Sequence, residues 1–255
     1  MLQAYLQRAQ LPISDYINDT KTATDQVPRV LAAMQYIAGQ DKVVASNFDL
    51  ICQFSRVRQL FSTKSIVADD PLCLLPGFPF VVLRRLWANA QAQGVDTPTS
   101  WSLRSSTRDE VAVLLKRLLK GGRAPDFDRM IKSIFSLPFV SINATKVSSE
   151  VEKTTGTNIG KLRINMTIEG GNRGNYSTTS QMSLSLVLGT PQSKRLLAQR
   201  TIGVHGTVTG KEVDLEFDWS AANAGGGEGG GFMILRLLFD ELRGLDGEIR
   251  IPLRQ

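Results

Sequence analysis

Pro125–Ser148 reads PDFDRMIKSIFSLPFVSINATKVS, and inside it the texture of the chain changes. Up to Pro138 apolar residues recur at helical spacing, which predicts a helix with Pro125 near its N-terminus that ends before Pro138. From Phe139 onward, FVSINATKVS alternates as a strand does.

Upstream of this junction the helical texture continues to the N-terminus. Leu2, Leu6 and Ala9 predict a short helix stopped at Leu11-Pro12. In residues 14–39, Val27, Val30, Leu31, Met34 and Ile37 form an apolar stripe, with Gly39 as C-cap. Pro28 falls inside that pattern, so the helix is expected to kink or begin there. The helix over 48–62 should turn Phe48, Ile51, Cys52 and Val57 inward, with Arg56 and Arg58 flanking. DDPLCLLPGF (69–78) reads as a turn-rich boundary. A helix follows over 81–94. Residues 97–122 hold a short helical turn and a longer helix opened by Ser106 or Thr107, with Asp109 and Glu110 in its first turn and Gly121-Gly122 at its end.

Downstream, seven segments predict strands: 139–148, 160–170, 181–190, 196–204, 211–219, 232–240 and 247–255. Leu162, Ile164, Met166 and Ile168 share one face of the second, and Val213, Leu215 and Phe217 one face of the fifth. Seven short strands with Gly/Asn/Ser turns suggest a sandwich of immunoglobulin or fibronectin-III type. The expected architecture is therefore α+β and multidomain: a partial helical bundle (1–68), a helix-loop-helix (69–137) and a β-sandwich (138–255).

Composition narrows the function classes. Of 255 residues, 42% are hydrophobic and 21% charged, a folded rather than disordered balance. No apolar run approaches the roughly 20 residues that span a bilayer, and MLQAYLQRAQ does not open a signal peptide. A soluble, cytoplasmic or alternatively nuclear protein is expected. Cys52 and Cys73 sit among apolar neighbours, as buried free thiols do. With a single histidine, His205, they make no zinc constellation. The net charge of +6 is uneven: residues 1–137 carry 17 Lys/Arg against 12 Asp/Glu, and 138–255 carry 13 against 12. A polyanion would meet the first half.

No GxxxxGK[ST], GxSxG or HExxH occurs. AANAGGGEGGG (221–231) reads as a flexible loop, since it lacks the Lys-Ser/Thr of a phosphate loop and its Glu repels phosphate. Asp69 and Asp70 sit at a turn, where capping suits them better than acid-base work. An enzyme has no constellation to stand on.

Five stretches carry a resemblance. LQRAQLPISDYINDTKTATDQVPRVLAAMQYIA (6–38) and DDPLCLLPGF (69–78) are similar to the central segments of Sec-63 domains in large superfamily-two (Ski-two-like) helicases. SLPFVSINATKVS (136–148), LSLVLGTPQSKRLLAQRTI (184–202) and LRLLFDELRGLDGEIRIPL (235–253) resemble that family's entry into the sandwich, its central strand pair and its closing strands. The DDP-LLPG form resembles most the helicase subunits of the ribosome-quality-control trigger and activating signal cointegrator complexes, then the spliceosomal unwinding helicases. Two places depart from the pattern: MSLSL (182–186) stands where the family carries tryptophans, and Phe239, Asp240, Glu241 and Leu242 replace S-D-x-Y. The first helices of the family's bundle have no counterpart after Met1.

The resemblance implies a non-catalytic accessory domain that lines the single-strand exit path of an ATP-dependent helicase, with ATP and magnesium held elsewhere, in RecA-like motor domains on which it docks. It implies weak, sequence-independent contact with single-stranded RNA or DNA, protein partners on the nearly neutral sandwich, and no membrane. Residues 19–38 match the helix across the strand exit, with Arg29 at the family's arginine and Gln26 and Gln35 along it; the alternative is an Asp25–Arg29 pair on a solvated face. Lys116, Arg117, Lys120 and Arg123 form the densest basic cluster, suited to a helix dipole or to a nucleic-acid or acidic partner. Arg84 and Arg85 beside Trp87 allow a basic-plus-aromatic surface, although Trp87, Trp101 and Trp219 read as packing residues. A module of the endoplasmic-reticulum translocation type, binding protein and no nucleic acid, is the competing expectation.

Overall fold

The computed structural model describes residues 2–6, 13–40, 48–63, 71–120, 126–151, 158–169, 182–191, 194–204, 208–223, 231–239 and 244–253. His205, Arg123, Asp69, Asp70 and most of the glycine-rich loop lie outside them. Helices α1 (Leu2–Leu6), α2 (Ser14–Gln40), α3 (Phe48–Thr63), α4 (Phe80–Ala92), α5 (Ser100–Ser105), α6 (Arg108–Leu118) and α7 (Phe127–Phe135) come first, with a 3-10 turn over Pro71–Leu74. Strands β1 (Phe139–Val151), β2 (Asn158–Glu169), β3 (Met182–Thr190), β4 (Arg195–Val204), β5 (Val208–Asp218), β6 (Phe232–Phe239) and β7 (Gly247–Pro252) follow, with a short α8 (Trp219–Asn223) after β5. The chain is α+β.

The strands form two antiparallel sheets, β1-β2-β5 and β4-β3-β6-β7. Leu162, Ile164, Met166 and Ile168 of β2 meet Leu184, Leu186 and Leu188 of β3 and Met233, Leu235, Leu237 and Phe239 of β6 in one core. Alternation in β2 is therefore the signature of a sheet with one buried face. β6 is buried on both faces, because α3 covers its outer side through Phe48, Ile51 and Cys52 against Val187, Ile234 and Leu238. That second cover is why FMILRLLF runs almost unbroken in apolar residues.

Gly189 of β3 makes this cover possible, since a Cβ there would run into the Phe48 ring. Arg236 of β6 lies over the same ring at 4.7 Å and reaches Asp49 at 3.5 Å and Glu248 at 3.3 Å. Burial pushes the neighbouring Cys52 thiol up, against the lowering effect of Arg236. Gln59 closes the other end of α3, donating from Nε2 to Phe239 O and to Asp246 Oδ1, both at 2.8 Å.

The core also continues across Pro138. Leu83, Leu86, Leu103, Leu115, Met130 and Ile134 of the helices belong to the cluster that fills the sandwich. Arg104 of α5 fastens the two parts: its Nε donates to Leu137 O at 2.9 Å and its guanidinium lies over Phe135 and Phe139 at 5.3 and 5.2 Å. Its other end meets Glu169 of β2 at 3.7 Å. Burial lowers the Arg104 pKa from its ordinary value.

Local signals set several of these boundaries. Thr107 opens α6 with a capping box to Glu110, and Thr99 opens α5 with another to Ser102. Trp101 packs on Phe139 and Trp219 on Phe217, with ring centroids 5.1 and 5.9 Å apart. Strand β5 stops one residue short of Trp219 because the Asp218 carboxylate accepts from Ser220 N at 2.9 Å and Ala221 N at 3.2 Å, starting α8.

Helix α2 does not begin at Pro28: it runs through the proline as one helix of 27 residues, although the proline cannot donate to the carbonyl of Thr24. Its apolar stripe is largely in solvent, with Val30, Met34 and Ile37 exposed and Val27 and Leu31 half-buried, while Thr20, Thr24 and Gln35 are buried. The seam with α3 is polar, built on Gln35 Nε2 donating to Ser55 Oγ at 3.3 Å and Arg58 donating to Gln35 Oε1 at 3.4 Å. On α3 Phe48, Ile51 and Cys52 are buried as expected, Ser55 is the buried position that meets α2, and Val57 is only half-buried.

Candidate nucleic-acid interface

The outer face of α2 is one candidate surface. Gln26, Arg29, Ala33 and Tyr36 follow 3-4-3 spacing, which puts them on one face of the helix, and all four are exposed. Arg29 and Tyr36 are two helical turns apart, about 10 Å along the axis. The Asp25–Arg29 pair allowed by spacing does not form, and among the described residues Arg29 has no ion pair. Its guanidinium is thus open to an external acceptor. Tyr36 also borders a polar cleft of about 500 Å³ between α2 and β4, lined by Gln35, Arg58, Gln199 and Thr201 among others.

Gln35 does not belong to this surface. It is 2% exposed and both ends of its amide are engaged with α3, so its expected contact with a strand is corrected to a structural role. The residue one position on, Tyr36, was missed. It is 67% exposed and shares the face of Arg29 by its i+7 spacing alone, a signal present in the sequence.

The second surface joins two clusters that are far apart in sequence. Arg85 of α4 donates to Leu119 O at 2.9 Å, Asn89 to Leu118 O at 2.6 Å, and Arg117 of α6 to Gln93 Oε1 at 2.7 Å. Arg85 and Asn89 of α4 thereby cap the C-terminus of α6, satisfying carbonyls that the helix itself leaves open. Arg85 therefore stands at the end of α6, where Lys120 follows Leu119, and Arg117 reaches the residue just past α4. Arg84, Lys116, Arg117 and Lys120 are exposed, while Arg85 is half-buried and committed to its carbonyl. Trp87 packs against the core, so it supplies no open ring next to these cations. The exposed aromatic of α4 is Phe80, at 66%.

The chain thus combines a long helix carrying an open cation, a helix pair with exposed cations and two antiparallel sheets sharing one core. The Sec63 Brl domain family model matches residues 1–251, and the chain belongs to that family. Over 86 residues it is 35% identical to the RQC trigger complex helicase SLH1 of Saccharomyces cerevisiae, a stretch that covers 34% of this chain and 4% of the yeast protein. The chain thus corresponds to a small part of that relative's length. A solved structure of the Pseudomonas fluorescens alkylpurine DNA glycosylase AlkC, bound to DNA containing an abasic site analog, overlaps 91% of this chain and 74% of its own at 14% identity, with a TM-score of 0.22. That overlap is too low to bear on fold or function. No described helix is long and apolar enough to cross a membrane.

Proposed function

We propose that this chain is the accessory domain of an ATP-dependent nucleic-acid helicase, lining the path of the single strand and docking on RecA-like motor domains or partner proteins. The observation that carries the reading is the outer face of α2, where Gln26, Arg29 and Tyr36 stand open on an unbroken helix in a chain of the Sec63 family. A cation there grips phosphate and a planar ring stacks a base, neither reading sequence. Lys116, Arg117 and Lys120 extend the positive surface. ATP and magnesium belong, on this reading, to the motor domains.

Three modules serve these roles: a helical bundle to residue 68, a helix-loop-helix to 137 and a sandwich beyond. The sheet order β1-β2-β5 and β4-β3-β6-β7 supports an immunoglobulin or fibronectin-III type for the last, whose nearly balanced charge suits protein contacts. The family resemblance favours RNA as the strand and the cytoplasm as the setting, and the yeast relative, an RQC trigger complex helicase, is in line with ribosome quality control.

Fluorescence anisotropy of a labelled oligouridine tests the reading, measured at about 50 and 200 mM salt where counterion release is visible. Binding should weaken with salt. It should fall in Arg29→Ala and in the triple alanine variant of Lys116, Arg117 and Lys120, and each lost phosphate contact should reduce the salt slope by about one. Equal affinity in wild type and both variants would refute it, as would binding by none.

A further inference from the structure

Helix α4 begins at an N-cap proline, Pro79, and leaves its first two side chains in solvent, with Phe80 66% and Val81 79% exposed. One turn further on is Arg84, and another turn further Ala88. Phe80, Val81, Arg84, Arg85 and Ala88 line an open depression of about 380 Å³. Residues four apart on a helix are neighbours, with Cβ atoms about 5–6 Å apart, so the Phe80 ring and the Arg84 guanidinium border one slot. Its floor is shallow because position 88 is alanine. Arg85 is fixed at the inner side by Leu119 O, and the residue after that carbonyl is the exposed Lys120. Among the described residues neither Arg84 nor Lys120 has an ion pair.

We propose that this depression receives one unpaired nucleobase of a single strand, stacked on Phe80 with its flanking phosphates on Arg84 and Lys120. The inference rests on the reading that the chain contacts a single strand, but it places a contact on α4 and on Lys120, just past the end of α6, that is separate from α2. An aromatic face and a guanidinium plane are the two surfaces on which splayed bases stack, and a paired base cannot enter. A helical peptide partner needs anchors spread over i, i+3, i+4 and i+7 of a longer groove, whereas this slot is lined by one helix over about two turns. Charge complementarity favours a polyanion.

The test uses the full chain and an oligouridine carrying one 2-aminopurine, whose fluorescence is quenched by stacking. Phe80→Leu keeps apolar bulk without the ring, Phe80→Tyr keeps the ring, and Arg84→Gln removes the charge; these side chains are exposed, and circular dichroism verifies the fold. Phe80→Leu should weaken binding about tenfold and relieve quenching, Phe80→Tyr should retain both, and Arg84→Gln should lower the salt slope by about one. If Arg29→Ala weakens binding and Phe80→Leu does not, the α4 site is overturned and the α2 reading stands. If Phe80→Leu weakens binding and Arg29→Ala does not, the α4 site is sustained and the α2 contact fails. Absence of oligouridine binding in wild type overturns both. A labelled Asp/Glu-rich peptide that binds in its place, and is lost in Phe80→Leu, overturns the nucleobase in favour of a protein partner.

Discussion

Arg104 tests how the helices are fastened to the sheets, because its three interactions differ in burial. The residue is 8% exposed, whereas the Glu169 side chain it meets at 3.7 Å is 54% exposed. The ion pair is therefore screened and contributes at most about 0.5–1 kcal/mol. The hydrogen bond from Nε to Leu137 O is buried, and a charged donor to a buried carbonyl is worth about 1.5–3 kcal/mol. Two ring contacts, to Phe135 and Phe139, add about 0.5–1 kcal/mol each. Arg104→Ala should then cost about 2.5–5 kcal/mol. Arg104→Met, which keeps the stem over the rings but orphans the carbonyl, should cost about 2–3 kcal/mol, and Glu169→Gln under about 1 kcal/mol. Urea denaturation followed by far-ultraviolet circular dichroism and by tryptophan fluorescence gives all three values, and Trp101 beside Phe139 reports on this junction directly. If Glu169→Gln is as costly as Arg104→Ala, the ion pair holds the junction and the assignment to carbonyl and rings is wrong.

Gly189→Ala places a Cβ into the Phe48 ring and about 2.8 Å from Arg195 O; it should destabilise by about 1–3 kcal/mol, and pairing it with Phe48→Leu should recover part of the loss in the same denaturation assay. Full additivity of the two would contradict the close approach. Hydrogen bonds from the Thr107 backbone and hydroxyl hold the Glu110 carboxyl below the usual glutamate range. A carboxyl depressed in the folded state stabilises above its unfolded pKa and loses that contribution as pH falls through the folded value, so the start of α6 should loosen only in acid. Carbon-detected NMR titration should find the Glu110 pKa moving up towards the ordinary value in Thr107→Ala; no movement would contradict the capping box as its cause.

Where a local rule governs, the sequence was sufficient. The change of period at Pro138, the alternating faces of β2 and β5, the cap at Thr107 and the packing of Trp219 on Phe217 all depend on neighbours a few residues away. The errors arise where distant residues decide. Periodicity identifies the apolar stripe of α2 but not which stripe meets α3, and here Ser55 and Arg58 supply partners that let Gln35 go inside. Arg84 and Arg85 were read beside Trp87 because they adjoin it in sequence. Three contacts with α6 instead set the orientation of α4, turning Trp87 to the core and leaving Phe80 as the open ring. The fastening role of Arg104 had no local signal at all, since its partners come from α7, β1 and β2.

The polar seam of α2 and its open outer face are two consequences of one arrangement. A helix that buried Val30, Met34 and Ile37 against α3 would rotate its polar positions, and Arg29 and Tyr36 would turn with them. By hydrogen-bonding Gln35 to α3 the chain fixes a rotation in which Gln26, Arg29 and Tyr36 stay exposed. Hydrogen bonds are directional where apolar contacts are not, so the weaker seam is also the more specific one. Replacing Gln35 with leucine would leave the Ser55 hydroxyl without its partner but give the helix no preferred rotation. Strand affinity would then fall although no residue of the outer face had changed, and that dependence separates a presented binding face from one that is merely exposed.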